Sequence, residues 1–176
     1  EVLSQQKGER VVVFTAYRGT AERLGRILAN ARLSTRIEQL DCGASLRERL
    51  RVLERFEANA LRGGGDGPSG VLICHDEAAV GVSIHRSCHV LVNYDLPWSP
   101  QQIERRIRRL QRWGQTQDVV VYNMAARDDA AEGWTMDHRL LYACRRLFNM
   151  ANATGVANDA LHEIDPHELE LQLAGD

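Results

Sequence analysis

The stretch Val90 to Gln115, VLVNYDLPWSPQQIERRIRRLQRWGQ, sets an apolar strand, an aspartate, two prolines and an arginine-rich segment in immediate succession. Val90, Leu91 and Val92 form a short unbroken apolar run, the pattern of a strand covered on both faces. Pro97 and Pro100 impose a turn, since proline fixes its own φ and biases its predecessor away from helix. The segment that follows predicts a helix carrying Arg109 and Arg112 on one face, because positions i and i+3 are neighbours there. Guanidinium forks match phosphate oxygens bidentately, so arginines three apart aim cations at a phosphate. The plainer alternative is a solvated face, the usual fate of a charge run. Five arginines fall within residues 105–112 with no acid among them, leaving only Glu104 at the edge as a local partner. That imbalance favours the phosphate reading.

Working outward, the chain alternates strands with helices. Val11 to Phe14, ending at Thr15, is a second fully apolar run, and Tyr17 to Ala31 follows with Leu24, Ile27, Leu28 and Ala31 at helical spacing. Thr35 to Leu40 alternates weakly and closes at Asp41 and Gly43. Ser45 then predicts a helix cap, with Glu48 three residues on completing a capping box and Leu46, Leu50, Leu53 and Phe56 as its apolar positions. Gly63 to Gly70 reads as a loop. Val71 to Cys74, His89 to Asn93 and Val119 to Tyr122 are the third, fourth and fifth strands. Repeated alternation with fully apolar strands implies an α/β fold built on a parallel sheet covered on both faces. Glu132 to Met150 predicts a long helix, with Leu140, Leu141, Ala143, Cys144, Leu147 and Phe148 available for packing. Asp159 to Leu173 is an acidic helical candidate interrupted by Pro166.

A length of 176 residues suits one domain with a real core, and 44% hydrophobic with 26% charged residues is the balance of a soluble globular chain. No apolar run reaches membrane-spanning length and the first residues lack a signal-peptide core, so no membrane partner and a cytoplasmic location are expected. A net charge of −2 argues against nucleic acid until its distribution is read. Arginines gather at 47–55 and 105–112, while residues 158–176 carry six acids and no Lys or Arg. A local basic face beside an acidic tail still binds phosphate. Cys42, Cys74, Cys88 and Cys144 form no C-x-x-C pair, and the free cysteines on strands read as small buried apolar residues. His85, Cys88 and His89 are poor zinc candidates, since strand alternation turns Cys88 and His89 to opposite faces; no metal site is expected.

Val90 to Gln115 resembles the last motif of superfamily 2 helicases, and within them the SNF2-like DNA translocases, whose pattern runs N-Y-D-x-P-W-N-P and then Q-R-I-G-R-x-x-R-x-G-Q. This chain has NYDLPWSP and RRIRRLQRWGQ. Three further segments match in order. Val11 to Tyr17 resembles the motif whose strand-end threonine approaches the nucleic-acid backbone. Asp41 to Phe56 resembles the G-x-x-x-x-x-R-x-x-x-x-x-x-F helix, and Cys74 to Ile84 resembles S-T-x-A-G-G-x-G-I-N-L.

The resemblance implies a RecA-like lobe over residues 1–130, with a C-terminal helical brace over 131–176. It implies nucleic-acid contacts at Thr15, Arg18, Cys74 and His75, a nucleotide-facing Gly81, and Arg109 and Arg112 as arginine fingers. ATP and Mg are the implied cofactors, with Mg held by an N-terminal RecA-like lobe of the same protein; DNA in duplex form is the implied substrate. A protein partner is the expectation for the acidic tail. Without that family context, Gly81 is equally a turn glycine. VLICHDE at 71–77 also resembles a Walker B strand, but that reading needs a G-x-x-x-x-G-K-[ST] loop, and the 176 residues contain none. The chain thus reads as half an engine, not expected to turn over alone. Arg105, Arg108 and Ser83 depart from the family's Gln, Gly and Asn. These departures leave an alternative: a non-catalytic nucleic-acid or protein binding module with a degenerate last motif.

Overall fold

Val11, Val12, Val13 and Phe14 have their alternate side chains buried in opposite directions, which a strand achieves only at the centre of a sheet covered on both sides. The computed structural model describes residues 2–6, 8–31, 35–58, 70–126, 135–137, 139–144 and 146. Its elements run α1 (Val2–Gln5), β1 (Arg10–Thr15), α2 (Arg18–Asn30), β2 (Arg36–Leu40), α3 (Leu46–Ala58), β3 (Gly70–His75), β4 (Val90–Asn93), α4 (Pro100–Ile107) and β5 (Val120–Asn123). The five strands form one sheet in the order β2-β3-β1-β4-β5, and every pairing is parallel. The register sets Thr15 beside His75 and Phe14 beside both Cys74 and Asn93, so β1, β3 and β4 end level with one another.

The two sheet faces carry separate cores. Val12, Phe14, Leu72, Cys74 and Leu91 pack with Leu53 and Phe56 of α3, while Val11, Val13, Val71, Ile73, Val90 and Val92 pack with Ala21, Leu24 and Leu28 of α2. Burying each aliphatic side chain of this size stabilises the fold by about 1.5–3 kcal/mol, so the sheet centre dominates stability. Gly70 opens β3 under the ring of Phe56, where an added Cβ would lie 3.3 Å from a ring carbon. On the helices the apolar stripe is narrower than the sequence pattern suggests: Ile27, Leu46 and Leu50 are exposed. The capping box is present, with Glu48 accepting from the Ser45 backbone N–H at 2.8 Å and Ser45 Oγ accepting from the Glu48 N–H. No helix among the described residues is long and apolar enough to cross a membrane.

The chain divides into two compact units, Glu1–Asp95 with Arg106–Asn123, and Leu96–Arg105 with Met124–Asp176. The first unit holds the whole sheet. In the second, residues 136–137, 139–144 and 146 are helical, and Thr135 opens that helix by donating to the Ala126 carbonyl at 2.7 Å. Leu140 and Cys144 are buried. The rest of the helix expected over Glu132–Met150, the boundary expected between 130 and 131, the loop at 63–69 and the acidic candidate at 159–173 lie outside the described residues.

Candidate nucleotide and phosphate site

In open parallel α/β sheets, ligands bind beyond the carboxyl ends of the strands. There this chain places Thr15, His75, Asp76, Asn93 and Asp95, and a single side chain, Arg106, joins Asp76, Asn93 and Asp95. Arg106 is 2% exposed. Its Nε and Nη2 donate to the two Asp76 carboxylate oxygens, each at 2.7 Å, in a bidentate fork. Nη1 donates to Asn93 Oδ1 and to the Asp95 carbonyl, both at 2.9 Å, and Nη2 reaches Asp95 Oδ1 at 3.3 Å. The guanidinium also lies 5.7 Å from the Phe14 ring centroid. Asp95 in turn accepts from the Thr15 hydroxyl and, at 2.8 Å, from the Ala16 N–H. Asn93 donates to Asn123 at 2.7 Å, extending the network to β5.

This arrangement corrects several expectations. The arginine segment is not one helix to Arg112: α4 stops at Ile107 and the chain continues in turns. The cause is tertiary, for the Arg109 carbonyl accepts the Ile84 N–H and the Arg109 and Leu110 N–H groups fall back on carbonyls three residues earlier. Arg109 and Arg112 are nevertheless brought together on the segment after Gly81. Arg109 Nη1 donates to the Val82 carbonyl at 3.4 Å and Arg112 Nη1 to Ser83 Oγ at 3.3 Å. Partial burial, then the like charge of Arg112, holds the Arg109 pKa below the ordinary arginine value. Gly81 has φ +80°, a conformation that side chains other than glycine rarely adopt, so glycine there is a backbone requirement. Arg49 of α3 sets the same loop, donating to the Ala78 and Val80 carbonyls at 2.9 and 3.0 Å.

Cys74 is fully buried in the core, and burial pushes its thiol pKa up. Its side chain is therefore not at a nucleic-acid surface. Thr15 is also fully buried, with its hydroxyl donated to Asp95, so any ligand contact there falls to backbone. His75 is half-buried, with Nε2 2.8 Å from the Ala16 carbonyl. Arg18 is exposed at the start of α2, bonded to Glu22 at 3.0 Å and 3.8 Å from Asp41; the Glu22 bond is the main cause of its raised pKa. Asp76, the acid a magnesium site in VLICHDE would need, is taken up by Arg106. Arg108, in the family's glycine position, is exposed, so its bulk displaces no core atom. The sequence reading missed Arg106 and Arg49. Strand-end acids at 76 and 95 were the signal for the first, and the G-x-x-x-x-x-R-x-x-x-x-x-x-F spacing for the second.

A parallel sheet with these strand-end motifs defines a RecA-like helicase lobe. Residues 1–114 match the helicase conserved C-terminal domain family, and the chain belongs to it. It is 30% identical over 172 residues to an uncharacterized ATP-dependent helicase, YqhH, of Bacillus subtilis, covering 94% of this chain and 27% of that protein. It is 33% identical over 119 residues to the RNA polymerase-associated protein RapA of Pectobacterium atrosepticum, covering 68% of this chain and 12% of RapA. The chain thus spans well under a third of the relatives it matches. Among solved structures, the C-terminal part of the Fun30 ATPase domain superposes with a TM-score of 0.59 at 15% identity, over 93% of this chain and 45% of that one. Domain 2 of the DEAD-box helicase Mss116p, bound to an RNA duplex, gives 0.51 at 19% identity over 66% and 42%. The fold is that of the second RecA-like lobe, and the sequence places it with the SNF2-like group.

Proposed function

We propose that this chain is the second motor lobe of an ATP-dependent SNF2-like DNA translocase, and that Arg109 and Arg112 are its arginine fingers. The observation that carries this is the division of labour within one motif. Of five clustered arginines, Arg106 is buried against Asp76 and Asp95, whereas Arg109 and Arg112 converge beside the positive-φ Gly81. Fingers act on charge that develops during phosphoryl transfer, and they need a rigid base. The Arg106 network supplies that base by tying three strand ends to the start of the finger turn. ATP would lie between this lobe and an N-terminal RecA-like lobe, which holds Mg; the residues here do not fit Mg, since Asp76 is occupied. Tyr17, Arg18 and the backbone after β1 and β3 would follow the nucleic-acid backbone.

The test is steady-state ATP hydrolysis by the 176-residue chain and by a two-lobed protein containing it. The isolated chain is expected to show no turnover above its own Arg109→Ala variant, and the two-lobed protein to show turnover stimulated by duplex DNA. Hydrolysis by the isolated chain that Arg109→Ala abolishes would overturn the half-engine account.

A further inference from the structure

The turn after β2, the last residue of β3 and the turn that follows it bring together three side chains that the motor reading does not use as a set: Cys42, His75 and Glu77. The Cys42 thiol, a His75 ring nitrogen and a Glu77 carboxylate oxygen lie within 4.8 Å of one another. We propose that this is a binding site for a divalent ion of the zinc class.

The His75 ring carries the case. A carbonyl only accepts, so the 2.8 Å contact between Nε2 and the Ala16 oxygen puts the ring proton on Nε2. Nδ1 then holds a lone pair, and it is buried with no hydrogen-bond partner. A ring N–H anchored on a backbone carbonyl, with the other nitrogen free, is how metal-binding histidines are oriented. An orphaned buried nitrogen is costly unless a ligand meets it. A thiolate and a carboxylate balance a dipositive ion, and imidazole, thiolate and carboxylate are all accepted zinc donors. Zinc bonds of about 2.0–2.3 Å place tetrahedral donors roughly 3.3–3.8 Å apart, so the set closes with side-chain adjustments of about 1 Å. Glu77 is exposed and Cys42 half-buried, which leaves room for that movement and for a fourth, solvent ligand. Such an ion would pin the β2–α3 turn to the loop that leads to Gly81, so it goes beyond the motor reading and does not depend on the fingers.

The experiment uses the tag-free 176-residue chain, stripped with a chelator and titrated with Co2+, followed by Zn2+ competition. The expected result is one equivalent of Co2+ with a thiolate-to-cobalt charge-transfer band, displaced by one equivalent of Zn2+. Cys42→Ser should abolish the band, while Cys88→Ser and Cys144→Ser, at buried thiols elsewhere, should keep it. Glu77→Gln, a surface change that leaves the core intact, should weaken Zn2+ binding by more than the roughly 10–100-fold cost of an outer-shell partner. Absence of the band in the parent chain, its persistence in Cys42→Ser, or unchanged Zn2+ affinity in Glu77→Gln would each overturn the site.

Discussion

A guanidinium with a 1% exposed side chain is tolerable only where acceptors meet its donors, and Arg106 finds them on Asp76, Asn93 and Asp95. Removing it strands the two carboxylates it pairs, Asp76 and Asp95. Arg106→Ala is therefore expected to lower unfolding free energy by about 3–5 kcal/mol, the scale of a broken buried ion pair. Arg105→Ala, at the exposed residue next to it, should stay within about 0.5 kcal/mol of the parent. Urea unfolding midpoints of the two variants check this; equal midpoints would mean that the network carries no stability. Sequence alone could not show which of the five arginines is buried, because all five carry the same charge and none has a local acid inside the cluster. Burial depends on which arginine faces two acids that lie 11 and 30 positions away in the chain.

At the scale of elements, α3 is held at its start by the capping box. Ser45→Ala should cost about 1 kcal/mol, as loss of an N-cap hydroxyl commonly does. The Ser45 hydroxyl, and then its N–H, hold the Glu48 carboxyl pKa below the ordinary value of 4.5. A depressed folded-state pKa contributes stability that is complete above 4.5 and lost as pH falls through the folded value. The gap between parent and Ser45→Ala should therefore narrow in acid, and unfolding midpoints across that range measure it; a gap that widens in acid would refute the box. This helix and all five strands were legible because capping, apolar runs and alternation are local signals. The end of α4 was not. Its arginines keep helical spacing past Ile107, but the Ile84 N–H claims the Arg109 carbonyl, a pairing across 25 residues that no local pattern shows.

For the whole molecule, an all-parallel sheet was expected from the strand–helix alternation, while the order β2-β3-β1-β4-β5 is a tertiary fact. That order sets β1 between β3 and β4 and so gathers three motifs at one edge. If this edge tracks a nucleic-acid backbone, duplex binding by the isolated chain should be weak and fall steeply with salt, as counterion release requires. Arg18→Ala should reduce the log–log salt slope by about one phosphate's worth, and Arg109→Ala should leave it unchanged. A slope that changes only with Arg109 would move that residue from nucleotide to DNA.

The central claim is that Arg109 and Arg112 meet charge present in the transition state and absent from bound ATP. In a two-lobed protein, Arg109→Ala and Arg112→Ala should each leave ATP affinity largely intact while DNA-stimulated hydrolysis falls by about a thousandfold or more. Arg108→Gly, restoring the family residue, should keep or raise activity. The account is contradicted if ATP affinity and turnover fall together, or if Arg109→Ala retains hydrolysis that Arg108→Gly loses, which would put the fingers one residue out of register.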